Sequence, residues 1–143
     1  LGFKFIKLLK GKQVVDKMLS QDEFSKNLGI SAKEITENSC KISLTITKSM
    51  VNGFGIAHGG ITYSLADSAL AFASNSNGIK SVSIETQISH LSKVLVGDVL
   101  MAEAKLIKET KTLGWYEVAI LNQENKLVAH FKGTVYKTKN TWE

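Results

Sequence analysis

The spacing of apolar positions changes period several times along the chain, and each change predicts an element. Between residues 13 and 27, Val14, Val15, Met18, Leu19 and Phe24 recur at roughly helical spacing, with Gly29 placed to stop the helix. The period then drops to two. Cys40, Ile42, Leu44 and Ile46 alternate with Lys41, Ser43, Thr45 and Thr47, which predicts a strand with one buried and one wet face. From Ile61 the pattern is helical and apolar nearly all round, through Tyr63, Leu65, Ala66, Ala69, Leu70, Ala71, Phe72 and Ala73. A helix of that kind is buried on several sides. Ser74-Asn75-Ser76-Asn77-Gly78 supplies the turn chemistry that ends it.

Four more strands are predicted beyond that turn. Val82, Ile84, Thr86 and Ile88 alternate with Ser83, Glu85, Gln87 and Ser89, and a Val96-Gly97-Asp98 turn leads into residues 99–109. Residues 114–122 form a third run, which Glu124-Asn125-Lys126 turns into a fourth over 127–136. These spacings suit antiparallel hairpins and a meander. The order helix, strand, long helix, four strands gives an α+β domain. Since a flat sheet would cover only one side of an all-apolar helix, the five- to six-stranded antiparallel sheet is expected to wrap around it. With no internal repeat, no low-complexity linker and no proline, residues 1–143 read as one domain, residues 1–29 forming an N-terminal helical extension.

Composition narrows the function. The net charge is +5, and all the basic residues are lysine. Arginine supplies the bidentate base contacts of most nucleic-acid readers, and the lysines here are spread from Lys4 to Lys139, so no nucleic-acid partner is expected. Scattered lysines suit a solvated surface, or attraction for an anionic small molecule such as a nucleotide-bearing thioester. The first ten residues are too short and too lysine-punctuated for a signal peptide, and nothing approaches a membrane span. They are expected to pack on the domain or to be disordered at their start. The single cysteine, Cys40, excludes an internal disulfide framework and fits a reducing cytoplasm. It falls on the apolar face of its strand, as a small core residue. His58, His90 and His130 are too scattered to suggest a zinc site, and the last two read as surface strand residues.

Candidate chemistry concentrates in residues 52–77. A loop broken by Gly53 and Gly55 runs into His58-Gly59-Gly60, and the paired glycines leave bare N–H groups at the positive end of the coming helix dipole. Asp67 then sits in the middle of the apolar helix, where a carboxylate is costly unless paired or used. Each of these also has a structural explanation: Asp67 could bond to backbone, the glycines could allow close packing, and Asn52 could form a turn. Asp98 beside Gly97 reads as a turn residue.

Taken together, Asn52-Gly53, His58-Gly59-Gly60 and Leu65-Ala66-Asp67, followed by Asn75 and Gly78, resemble the hotdog-fold thioesterases of the phenylacetic-acid-degradation (PaaI-like) family. The resemblance extends over about residues 18–137. It implies a hotdog fold and hydrolysis of an acyl-CoA thioester without metal or cofactor, phenylacetyl- or hydroxyphenylacetyl-CoA being one class of substrate. Carried over by position, it implies Asp67 as nucleophile or general base and Gly59 as the oxyanion-hole donor. Asn52 would hold the attacking water or the thioester, His58 would shape the loop, and Ser83 would orient water. Gly60 and Tyr63 join Ser83 as expected substrate contacts. Ser92-Lys93 stands where many relatives carry an arginine–proline pair, which changes how CoA phosphates would be held. Two other activities share this chemistry: a hotdog hydratase or dehydratase, and a non-catalytic acyl-CoA-binding module.

Helix geometry adds a constraint. Gly59 and Asp67 are eight residues apart, about 12 Å along one helix, too far to serve one carbonyl. A two-fold homodimer with shared active sites resolves this, and the resemblance implies pairing of dimers into a homotetramer.

Overall fold

The structure, a computed structural model, describes residues 8–143. The reading of the first ten residues therefore lies largely outside the described part. Those that follow Leu8 are tied down: Leu9 N–H donates to the Trp142 carbonyl and Gly11 N–H to that of Ser76.

The first helical pattern is two helices, α1 (Lys12–Gln21) and α2 (Glu23–Leu28). The break falls at Asp22, whose carboxylate accepts the Ser25 N–H at 2.9 Å and caps α2. A short acceptor side chain competes with helix backbone and favours a fresh N-terminus. Gly29 ends α2 in the left-handed conformation, φ 77°. Next comes β1 (Ser31–Thr36), a strand that the apolar pattern does not reveal. It is an edge strand, mostly exposed, with a register shift between Ala32 and Glu34, so no alternation marks it.

Then follow β2 (Ser39–Thr45), a short 3-10 turn (Lys48–Met50), α3 (Gly59–Asn75), β3 (Ile79–His90), β4 (Val99–Glu109), β5 (Leu113–Leu121) and β6 (Leu127–Thr141). All six strands form one antiparallel sheet in the order β1-β2-β4-β5-β6-β3. It curls around α3, which touches β2 to β6. This is the hotdog arrangement expected from the pattern.

Small residues set how close helix and sheet come. Ala66, Ala69 and Ala73 of α3 are fully buried, as are Leu100, Ala102, Val118, Ile120 and Phe131 of the facing strands. At Gly133 the approach is closest, because a Cβ there would collide with Leu70 Cδ2. Cys40 is core, as its alternation implies; it is 3% exposed and burial pushes its thiol up to about 12.

One alternation misleads. Val82 and Ile84 are expected on the same buried face as Thr86 and Ile88, yet they are 57% and 59% exposed. The cause is a β-bulge: Ser83 faces Val135 and Glu85 faces Thr134, leaving Ile84 without a partner in β6. The extra residue inverts the parity of the strand. Ser83 is inward before it, opposite buried Val135; Ile88 and His90 are inward after it, opposite buried Phe131 and Ala129.

Candidate active site

The loop before α3 is built so that the helix start keeps a free donor. Asn52 Oδ1 accepts from Phe54 N–H at 2.9 Å and Asn52 O from Gly55 N–H at 3.0 Å, which folds residues 52–56 into a tight turn. The structural explanation of Asn52 therefore holds, and the turn uses only the oxygen of its side-chain amide. Its Nδ2 has no partner among the described residues. His58 caps α3, its Nδ1 accepting the Gly60 N–H at 2.8 Å. Gly59 N–H, one residue earlier, donates to no described group, and it stands at the positive end of a 17-residue helix.

Around that donor lies a cleft of about 400 Å³, lined among others by Asn52, Gly59, Thr62, His90, Ser92 and Lys93. His90, expected as a surface strand residue, is indeed exposed, and it also lines this cleft from the end of β3. Its Nε2 would lie 3.1 Å from a Cβ built on Gly59, so the glycine is what lets the imidazole approach the helix start. The signal that could have found it is the strand parity, because His90 continues the alternation of Thr86 and Ile88 onto the face that pairs with buried Phe131 and Ala129. His130 does face outward, 3.4 Å from Glu117.

Asp67 lines a second cleft, of about 440 Å³, with Leu70, Ala71 and Ser74 of α3 and Ser81 and Ser83 of β3. No residue lines both clefts. The structure therefore brings Asn52, Gly59 and His90 together, and Asp67 and Ser83 together, but not the two groups. Two expected substrate contacts fall in neither cleft. Gly60 has its N–H taken by His58, and Tyr63 bonds its hydroxyl to Thr86 and packs edge-on against Phe131.

Asp67 differs from the other aspartates. Asp16 pairs with Lys12, Asp22 caps α2, and Asp98 accepts from Leu95 N–H and from Gln123. Asp67 receives no hydrogen bond from any described residue, and its half-burial raises its pKa above the ordinary value. A carboxylate that stabilises nothing around it is available for chemistry. Among the described residues no three His, Cys, Asp or Glu side chains gather as metal ligands.

Comparison with known proteins gives the family. The family model described as thioesterase superfamily matches residues 54–129, just over half of the chain. The chain belongs to the thioesterase superfamily. Within it, the acyl-coenzyme A thioesterase PaaI of Escherichia coli is 36% identical over 132 residues, 92% of this chain and 94% of that protein. The solved structure of E. coli PaaI superposes with a TM-score of 0.88, covering 90% of this chain and 94% of its own. Human acyl-coenzyme A thioesterase 13 is 26% identical over 127 residues, 86% of this chain and 91% of that protein. The matched segment of this thioesterase contains Gly59, Asp67 and Ser83, whereas Asn52 lies two residues before it. No helix of the described residues is long and apolar enough to cross a membrane.

Proposed function

We propose that the protein hydrolyses an aryl- or medium-chain acyl-CoA to the free acid and CoA, without a metal, in a site shared by two protomers. The observation that carries this reading is the pair of separate clefts, each with half of the needed chemistry. One carbonyl must lie about 3 Å from its oxyanion donor and about 3.5 Å from its attacker, but eight residues of helix separate Gly59 from Asp67 by about 12 Å. In a two-fold dimer, Gly59 and Asn52 of one protomer face Asp67 of the other, and symmetry makes two such sites. The free edge of β3 supports the pairing: it is 12 residues long, with Val82 and Ile84 exposed. Pairing of dimers into a tetramer follows from the resemblance.

The thioester carbonyl points at Gly59 N–H, and the helix dipole adds to the stabilisation of the oxyanion as it forms. Asn52 Nδ2 holds the attacking water or the thioester, and His58 keeps the helix start in shape. Asp67 either takes the proton of that water or attacks the carbonyl itself. Both routes need it ionised. The C–S bond then breaks, CoA leaves as its thiolate and takes up a proton, and an oxygen of water ends in the acid. Ser83 orients the water beside Asp67, and Lys93 offers the CoA phosphates a point charge.

The acyl group enters the Asp67 cleft, whose Leu70, Ala71 and Val135 walls suit a flat ring or a medium chain. The likeness to E. coli PaaI supports phenylacetyl-CoA or a hydroxylated relative. The lone, buried thiol of Cys40 supports a cytoplasmic setting.

Thiol release from a panel of aryl and alkyl acyl-CoA esters tests the reading, with activity expected to survive dialysis against a chelator. No turnover on any ester would refute it. The shared site is tested by mixing Asn52→Ala with Asp67→Asn chains. Each alone is nearly inactive, and exchange should restore activity because one site in a mixed dimer is intact. Exchange without recovery rules out the shared site. His90 favours a second reading, since across the same interface it would join Asp67 as a pair able to hydrate an enoyl thioester. An enoyl-CoA that gains water without releasing thiol would select it.

A further inference from the structure

The Asp67 cleft has an end wall that lies outside the matched family segment. Along α3 the cleft runs past Asp67, Leu70, Ala71, Ser74 and Asn75, eight residues or about 12 Å of helix. At the Asn75 end stands Trp142, beyond the family match at residues 54–129. Its indole N–H donates to Asn75 Oδ1 at 2.9 Å, and Asn75 is itself 2% exposed. The Trp142 backbone N–H donates to Gly78 O at 2.9 Å, while its carbonyl accepts from Leu9 N–H at 3.0 Å. Lys80 Nζ lies 5.0 Å from the ring centroid, within cation–π reach. The ring is therefore held at its edge, at its face and through its backbone on both sides. It is a fixed wall.

Resting on the acyl-CoA reading above, we propose that Trp142 is the end stop of the acyl pocket and sets the longest acyl group the enzyme accepts. Extended chain advances about 1.2 Å per bond, as in a backbone of three bonds per roughly 3.6 Å, so the pocket between Asp67 and Asn75 takes about ten chain atoms or a single substituted ring. A longer chain must displace the indole and break its hydrogen bond to Asn75. Asn75 is a positioning residue here, since it acts on substrate only by holding Trp142.

The test measures kcat/KM for octanoyl-, decanoyl-, myristoyl- and palmitoyl-CoA with the wild type and with Trp142→Ala and Trp142→Leu. Wild type should fall steeply beyond about ten carbons. Trp142→Ala should raise palmitoyl over octanoyl by about tenfold or more, and Trp142→Leu by less, with octanoyl turnover within a few-fold of wild type. A chain-length profile unchanged in the alanine variant, with octanoyl turnover retained, overturns the proposal. A second measurement needs neither a variant nor turnover: binding of non-hydrolysable alkyl-CoA thioethers to the wild type. Affinity should rise with length and stop rising near ten carbons; a gain that continues to sixteen overturns the end stop. If no ester is hydrolysed but thioether affinity still stops at that length, the hydrolytic reading alone has failed and the end stop stands as a limit on binding.

Discussion

The two ends of α3 treat their polar groups in opposite ways. At the C-terminal end nearly everything is satisfied. Asn75 Nδ2 donates to the Ala71 and Ser81 carbonyls, its Oδ1 accepts from Ser81 N–H and Trp142 Nε1, and Ser76 Oγ donates to Ala73 O or Thr36 O. At the N-terminal end, Gly59 N–H and Asn52 Nδ2 have no described partner. Half-way along, Asp67 has none either. Saturated polar groups hold a fold together, whereas a donor or a carboxylate left open next to a cleft is ready for a ligand. Substitutions at the two ends should therefore fail in different measurements, activity at one and stability at the other.

The largest effect belongs to Asp67→Asn. An amide neither removes a proton nor attacks a thioester, so kcat should fall by about 10²–10⁴-fold with the circular dichroism spectrum unchanged. Turnover near wild type would make Asp67 structural and erase the contrast. The variant should also be more stable at neutral pH. Burial raises the folded-state pKa of Asp67, so the charged form costs stability above that pKa, and the cost vanishes as pH falls through it. The Tm advantage of Asn over Asp should accordingly shrink towards low pH. A stability lower than wild type at pH 7 would contradict an unpartnered carboxylate.

The same shift fixes the pH dependence of catalysis. The proposed mechanism requires ionised Asp67, so kcat/KM should decline as pH falls through its raised pKa, with the midpoint above the range of ordinary exposed carboxylates. A flat profile down to that ordinary range would contradict a raised pKa at the group that limits activity.

Asn75→Ala should break the other end. It strands Ser81 N–H and Trp142 Nε1 at once, and Asn75 and Ser81 are 2% and 8% exposed. At about 1–3 kcal/mol for each group left unsatisfied, a loss of about 2–6 kcal/mol is expected by denaturant titration. Hydrolysis of a short acyl-CoA per folded molecule should change far less than in Asp67→Asn. If instead stability barely moves while short-chain turnover collapses, the saturated end is catalytic and the comparison is inverted.

How much of this was legible in the sequence depended on whether the signal was local. The all-apolar run of α3 and the clean alternation of β2 report burial directly, so their existence and the wrapped sheet were readable. The break at Asp22 escaped because helical spacing continues across it while only the cap changes. β1 escaped because an edge strand need not alternate. The β3 bulge mattered most: one unpaired residue at Ile84 turned Val82 outward while Thr86 and Ile88 kept the inner face, and no local pattern announces a register shift. The glycine pair and Asp67 stood out because each is out of place in its local pattern. Trp142 did not, since its role depends on Asn75, 67 residues away.

The smallest effect tests the boundary between the two kinds of end. His58 sits at the open end of α3, but its Nδ1 is occupied by Gly60 N–H, so by the rule above it belongs with the structural groups. His58→Ala should cost about 1 kcal/mol of stability, the ordinary price of a lost N-cap, and change kcat only a few-fold. His58→Asn, a strong cap without a titratable ring, should recover most of that stability. It should also leave the acid limb of the pH profile where wild type has it, because the proposed mechanism assigns that limb to Asp67. Should either variant lose activity as severely as Asp67→Asn while keeping its Tm, His58 takes part in the chemistry. An occupied hydrogen bond would then be no guide to which residues near Gly59 react.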